Sequence, residues 1–398
     1  MISVEDAAAR IRVAFRPLAS ESVPLAQAAA RVLAEDVTAR FAQPPLPVSA
    51  MDGYAVRSAD VAHPPTTLRI LGESAAGKPF SGRIGRGEAV RIFTGSVVPD
   101  GADTVIVQED AERSGTAVTF REPARPGRHI RPAGLDFRAG DRLAAKGKRL
   151  SPRDLALLAA GDCADVRVSR KPVVAFAATG DELSRPGEPR KTGGIVASSG
   201  YGLAAYIDDW GGIPRDLGIV PDSVEALSAL PEKAKGADLL ITLGGASVGD
   251  HDLVRQAFGP KGFVLDFWKV AMRPGKPLIF GRLGAMPLLG LPGNPVSTLV
   301  CSILFLRPAI AALLGEDFSA PLGSARLARD LPANDSRQDY LRARTEIRDG
   351  ALWADPFPVQ DSSMLTPLAR ADALILRKPH APEARMGDAV EILMLGAR

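Results

Sequence analysis

Residues 241–252 read ITLGGASVGDHD. An apolar run ends, and glycine, serine and aspartate follow at once. Lacking Cβ atoms, Gly244 and Gly245 let a phosphate or another oxyanion come close to the backbone. Ser247 can donate a hydroxyl. Asp250 and Asp252 can cap the next helix or hold magnesium beside a phosphate. The stretch reads equally as a tight strand-to-helix turn with an aspartate cap. It is not a Walker-type loop, because Gly-Lys-Ser/Thr is absent.

Two further stretches offer anion chemistry. In GLPGNPVS (290–297), Pro292 and Gly293 lead into Asn294, a suitable N-cap, and Pro295, a suitable first helical residue. The N–H groups of such a helix start attract anions, and Ser297 adds a hydroxyl. Read by itself, this loop suits a well-capped buried helix. In FWKVAMRPGKP (267–277), Lys269, Arg273 and Lys276 crowd around Pro-Gly and end at Pro277. Three cations at a glycine turn suit a dianion. Acidic loop tips occur at Thr179-Gly180-Asp181-Glu182, at Ser49-Ala-Met-Asp52-Gly-Tyr, and near Thr94 and Gln108-Glu109. The Asp-Gly pair reads as a turn.

These loops need a scaffold. The runs KPVVAFAATG, ADLLITLGG and MPLLGLPG end in glycine and alternate with helical segments between Lys171 and about Gly315. That alternation predicts a parallel sheet covered on both faces, with ligands beyond the strands' carboxyl ends. Helical spacing at 4–15 and 25–36, and a Ser151-Pro152 helix start, predict a helical unit, with Leu155, Leu158 and Ala159 packing on the first helix. A Pro- and Gly-rich segment of short alternating runs interrupts that unit and predicts a β-rich insert. After Ala320 the texture turns to β again. The expected domains are 1–40 with 142–170, 41–141, 171–318 and 319–398.

Composition narrows the function classes. The chain has 398 residues, 49 basic and 46 acidic, and a formal charge of +3. That balance, with 5 % aromatics, argues against a nucleic-acid partner. Cys163 and Cys301 stand far apart and the four histidines are scattered, which disfavours disulfides and zinc and suits a reducing, cytoplasmic setting. No signal peptide is evident. The apolar run Val296–Leu306, broken by Arg307-Pro308, predicts a buried helix too short for a membrane.

Together the stretches PPLPVSAMDGYAVR, RIFTGSVVPDGADTVIVQED, ATGDEL, ITLGGASVGDHD, FWKVAMRPGKP and GLPGNPVS, in this order, resemble the MoeA family of molybdopterin molybdenumtransferases, which includes the C-terminal domain of gephyrin. The resemblance implies a multidomain α/β fold. Its parts are a split helical domain, an inserted β-rich domain, a MogA-like three-layer α/β domain and a C-terminal β-barrel. It implies an elongated homodimer whose cleft is shared between subunits, so that Asp52 and Thr94 act in trans. The implied reaction inserts molybdenum from molybdate into adenylyl-molybdopterin, with magnesium present and AMP released. Adenylyltransferase and molybdoenzyme partners are implied as well. By motif position, Glu182, Asp238 and Asp252 are the cleft acids and magnesium ligands, with Asp52 joining them. Ser247, Arg273, Lys276, Ser297 and the Pro277 backbone surround molybdate or phosphates. Arg342 and Ser362-Ser363 match an oxyanion-binding arginine and serine, and Asp136 a position near the cleft. Relatives often carry an Asp-Ser/Thr-Asn triplet where this chain reads Val196-Ala-Ser-Ser-Gly200. The roles of those two side chains therefore do not carry over, while Ser198 or Ser199 remains a possible helix cap. Two alternatives stand beside this reading: a molybdopterin adenylyltransferase, and a non-catalytic molybdopterin-binding scaffold.

Overall fold

The computed structural model describes residues 1–245 and 250–396, with all their side chains except those of 250–252 and 255. A six-stranded sheet dominates the middle of the chain. Its strand order is Ile213–Val220, Val173–Thr179, Leu239–Leu243, Met286–Leu291, Ile279–Leu283 and Phe263–Trp268. The first four are parallel, as expected of buried apolar runs separated by helices. The last two join antiparallel, so the expectation of a wholly parallel sheet is corrected at this edge. The cause is local: Met286–Leu291 follows Ile279–Leu283 through a short turn at Gly284, which leaves no room for a crossover helix.

Helix Val4–Ala14 is capped by Ser3, whose hydroxyl accepts the Asp6 N–H. Its Val4, Ala7 and Ile11 pack with Phe280, Phe305 and Ile310 of the α/β unit. Leu158 of helix Pro152–Ala160 instead joins Val23, Leu33 and Leu150 in a separate cluster, so the expected helix–helix contact does not form. Residues 25–36 are not a helix either. Beyond the short 3₁₀ turn Leu25–Gln27, Ala30 has φ 58° and Val32 and Leu33 bridge to Arg149 and Val168. Tertiary pairing overrides the alanine-rich helical pattern there. Strand Ser20–Pro24 pairs with Asp165–Ser169 and ties together the two parts of the interrupted unit.

The insert holds a six-stranded sheet in the order Thr104–Val107, Gly53–Val56, Glu88–Ile92, Thr66–Ser74, Ala117–Phe120 and Ala111–Ser114. At the C-terminal end, strands Gln338–Arg348, Ala351–Pro356, Leu322–Leu327, Ala389–Met394 and Ala373–Arg377 close into a five-stranded barrel, because the last pairs back with the first.

The helical run Pro295–Leu314 crosses Arg307-Pro308 without a break, contrary to the sequence expectation. A π-helical turn at Ser302–Leu306 widens the hydrogen-bond spacing just ahead of the proline. By length and composition this run could cross a membrane, yet 67 % of its most apolar window is buried inside the protein. It is a core helix.

Candidate functional site

Three loops meet at the carboxyl ends of neighbouring parallel strands. The Gly244 N–H donates to Leu291 O at 3.0 Å, joining two of them. Gly244 has φ 99°, and a Cβ there would lie 2.8 Å from Thr179 Oγ1, on the third. Only glycine fits. Glu182 is exposed at this edge, its carboxylate folded back over Gly180. The helix Asp250–Phe258 follows, which carries Asp252. The Asp252 side chain and Ser247 lie outside the described residues.

The helix beginning at Pro295 starts from the same edge. Asn294 holds the N-cap position, but its side chain makes no capping bond. Its amide donates to Ser362 Oγ at 2.9 Å, and the Val296 N–H donates to Ser362 O at 3.2 Å. Ser362 thereby sits against the helix start, next to the loop of Pro292 and Gly293. Ser297 is buried in the first turn. The turn of Arg273 to Pro277 packs on this helix: a Cβ on Gly275, at φ 110°, would come within 2.4 Å of Cys301 Sγ. Lys276 is exposed on that turn, and its carbonyl accepts the Val270 N–H.

Arg342, on strand Gln338–Arg348, is fully buried. Its Nη2 donates to Asp361 O at 3.1 Å, whereas Nε and Nη1 have no partner among the described residues. Burial draws its pKa below the ordinary guanidinium value, against the pull of Asp361. The Ser363 hydroxyl and N–H hold the Asp361 carboxyl below its usual range. A desolvated cation with open donors is costly unless an anion completes it. A cavity of about 640 Å³ borders this strand, with Arg273, Asn334, Asp339, Arg342 and Gln360 in its walls.

Several expected site residues lie elsewhere. Asp238 stands at the amino end of Leu239–Leu243, about 20 Å from Gly244 at the usual rise per strand residue. Arg170 grips it at 2.6 and 2.8 Å, and the Val173 N–H donates to it at 2.8 Å. It is an anchor there, not a cleft acid. Glu182, Asp238 and Asp252 therefore do not fit as one magnesium set. Among the described residues no cluster of three His, Cys, Asp or Glu side chains could hold a metal. The Arg273 guanidinium is paired with Asp339, at 2.8 Å. Ser198, at the N-cap of Ser199–Asp209, makes no side-chain capping bond.

Asp52, Thr94 and Asp136 belong to the inserted segment. The Thr94 N–H and hydroxyl donate to Asp52 Oδ1 at 2.7 and 2.8 Å and hold that carboxyl below its ordinary pKa, with Arg91 adding its charge. Thr94 thus orients Asp52. Asp136 is exposed beside the Gln43–Phe137 bridge. Asp335 and Asp339 are residues that the sequence reading missed; a carboxylate pair near Arg342 in NDSRQDYLRAR was the available signal.

Residues 2–161 match the family described as MoeA N-terminal region (domain I and II). Residues 175–312 match a probable molybdopterin binding domain, and 324–395 the MoeA C-terminal region (domain IV). The chain is 35 % identical over 382 residues to a molybdopterin molybdenumtransferase of Haemophilus influenzae, covering 94 % of each chain. It is 34 % identical to that of Bacillus subtilis, over 99 % of this chain and 94 % of the relative. A crystal structure of a molybdopterin biosynthesis MoeA protein from Pyrococcus horikosii superposes with a TM-score of 0.86 at 31 % identity, over all of both chains.

Proposed function

Because the chain belongs to the MoeA family and is a molybdenum-transferring enzyme of cofactor biosynthesis, we propose that it inserts metal from molybdate into adenylyl-molybdopterin and releases AMP. The observation that carries this reading is Arg342, a buried guanidinium with two unused donor atoms beside Ser362 and a helix start. A tetrahedral dianion supplies the acceptors those donors lack, and the helix dipole and Lys276 add favourable field. The edge at Gly244–Gly245, lacking Cβ atoms, lets the substrate's phosphates approach the main chain closely. Attack of a water oxygen on the phosphoanhydride there releases AMP and leaves the pterin its monophosphate. The soft dithiolene sulfurs then take the metal, an oxo group of molybdate leaving as water with the thiol protons, and the hard protein carboxylates do not retain the metal.

Asp52 and Thr94 make their mutual bonds within the insert. We assign them to the cleft of a second copy, which makes the working unit a homodimer. Magnesium accompanies the substrate in this reading, with no step assigned to it, since the three acids do not gather. A reducing cytoplasmic setting suits two buried free thiols. An adenylyltransferase supplying the substrate and a molybdoenzyme accepting the product are the partners of this scheme.

The test is direct. Purified protein is mixed with adenylyl-molybdopterin, magnesium and molybdate. AMP and active molybdenum cofactor should form together. In a parallel mixture of protein, ATP, magnesium and molybdopterin, consumption of ATP would indicate an adenylyltransferase instead, and binding without turnover in both mixtures a scaffold; either outcome ends the proposal.

A further inference from the structure

We infer that Arg273 is a positioning residue that locks the Pro274–Lys276 turn to the barrel, and is not itself a ligand of the oxyanion. The inference rests on the reading that Arg342 and Lys276 receive molybdate.

Arg273 uses its fork elsewhere. Its Nε donates to Asp339 Oδ1 at 2.8 Å and its Nη2 to Asp339 Oδ2 at 2.9 Å. Asp335 lies 3.3 Å and Asn334 Oδ1 3.4 Å from the same Nη2. This two-pronged geometry is specific to a guanidinium and gives direction as well as attraction. Asp339 is 8 % exposed. If Arg273 swung away to an anion, it would strand a buried carboxylate, at a cost that one more ligand contact does not offset.

The backbone agrees. Met272–Arg273 runs parallel to Gln338–Asp339, and the Gln338 N–H donates to Ala271 O at 2.9 Å. The strand that grips Arg273 at Asp339 carries Arg342 three positions on. Asp339 and Arg342, three positions apart on an extended strand, leave it on opposite faces. The fork therefore draws Arg273 toward the face opposite the one from which the Arg342 stem departs, although both arginines border the same cavity. What the Arg273–Asp339 fork does set is the register of the turn against the strand, and with it the spacing of Lys276 from Arg342. Gly275 against Cys301 is the turn's second anchor.

The experiment titrates molybdate into the full-length protein by calorimetry, and measures its KM and kcat in AMP release. The variants are Asp339→Asn, Arg273→Lys, the double variant and Arg342→Gln, each with a thermal melt. Positioning predicts that Asp339→Asn and Arg273→Lys each weaken molybdate binding about ten-fold, as loss of a ligand-orienting partner commonly does. They should raise KM more than they lower kcat, and the double variant should be no worse than either single one. If Arg273 were a ligand held in reserve, Asp339→Asn would free it and affinity would hold or rise; that result overturns the inference. Should Asp339→Asn fail to fold, Arg273→Lys decides, because a charge ligand survives it and a fork does not. Arg342→Gln separates the two levels. Unchanged molybdate binding in that variant overturns the oxyanion reading itself. Its loss, with Asp339→Asn unaffected, overturns the positioning role alone.

Discussion

Two arginine junctions flank the core helical run Pro295–Leu314, and they are finished differently. At its carboxyl end, Glu316 receives both Arg149 and Arg307, each through two hydrogen bonds of 2.8–2.9 Å. Arg149 also reaches Ala30 O and Trp210 O, and Arg307 lies 4.1 Å over the Phe318 ring. At the amino end, Arg342 is more deeply buried than either of those arginines and has one side-chain hydrogen bond to a carbonyl and two unused donor atoms. The first junction is complete without a ligand and serves architecture, welding the interrupted unit to the α/β unit. The second leaves two donor atoms without a partner among the described residues, and in the proposed function an anion fills them. Counting satisfied donors separates the two roles where charge alone does not.

That contrast can be broken most forcefully at Arg342. Replacing it with Met should cut AMP release by about 100-fold or more, the usual cost of losing a preorganised oxyanion donor. The same variant should melt no lower than the parent, since it removes an incompletely bonded buried cation. A clear loss of Tm with turnover retained would reverse the assignment.

Glu316 should show the opposite profile. Burial alone would raise its pKa, but the bonds from Arg149 and Arg307 prevail and bring it down from 4.5 to about 2. A folded-state pKa below the unfolded one stabilises the protein above the unfolded value, and that contribution is lost as pH falls from about 4.5 toward 2. Its size at neutral pH is about 3 kcal/mol. Denaturant midpoints of Glu316→Gln and parent, measured from pH 7 downward, should therefore converge in acid. Parallel curves would show that the junction carries no such linkage.

The smallest effect sharpens the comparison. Asp238→Asn loosens the Arg170 pair, which is partly exposed, and should cost about 1 kcal/mol in stability. Turnover should stay at the parental level; a large fall in kcat would return Asp238 to the chemistry.

The features read correctly from sequence were those whose cause is local. Strand ends marked by Gly180, Gly244 and Gly290, the helix start at Pro295 and the Ser151 cap follow from conformational limits of a few adjacent residues. The errors share one origin, partners distant along the chain. The resemblance places Asp238 in the cleft, although it precedes its strand and so stands at the amino end, and its partner Arg170 lies 68 positions away. Arg273, expected beside the anion, has a fork partner, Asp339, 66 positions downstream. Asn294 stands at the N-cap position as expected, but without a side-chain capping bond, and its amide donates to Ser362, 68 positions on. Residues 25–36 had the spacing of a helix, but strand neighbours at Arg149 and Val168 claimed them.

The contact between Gly275 and Cys301 gives the chain a reporter of its own. The thiol lies wholly buried under the turn that carries Lys276. A reagent reaches it only when the packing around it opens, the turn included, so the rate of Cys301 labelling, read apart from that of the other buried thiol Cys163, is sensitive to the lifting of that turn. Saturating the cleft with oxyanion should slow that rate, with no dye or engineered probe required.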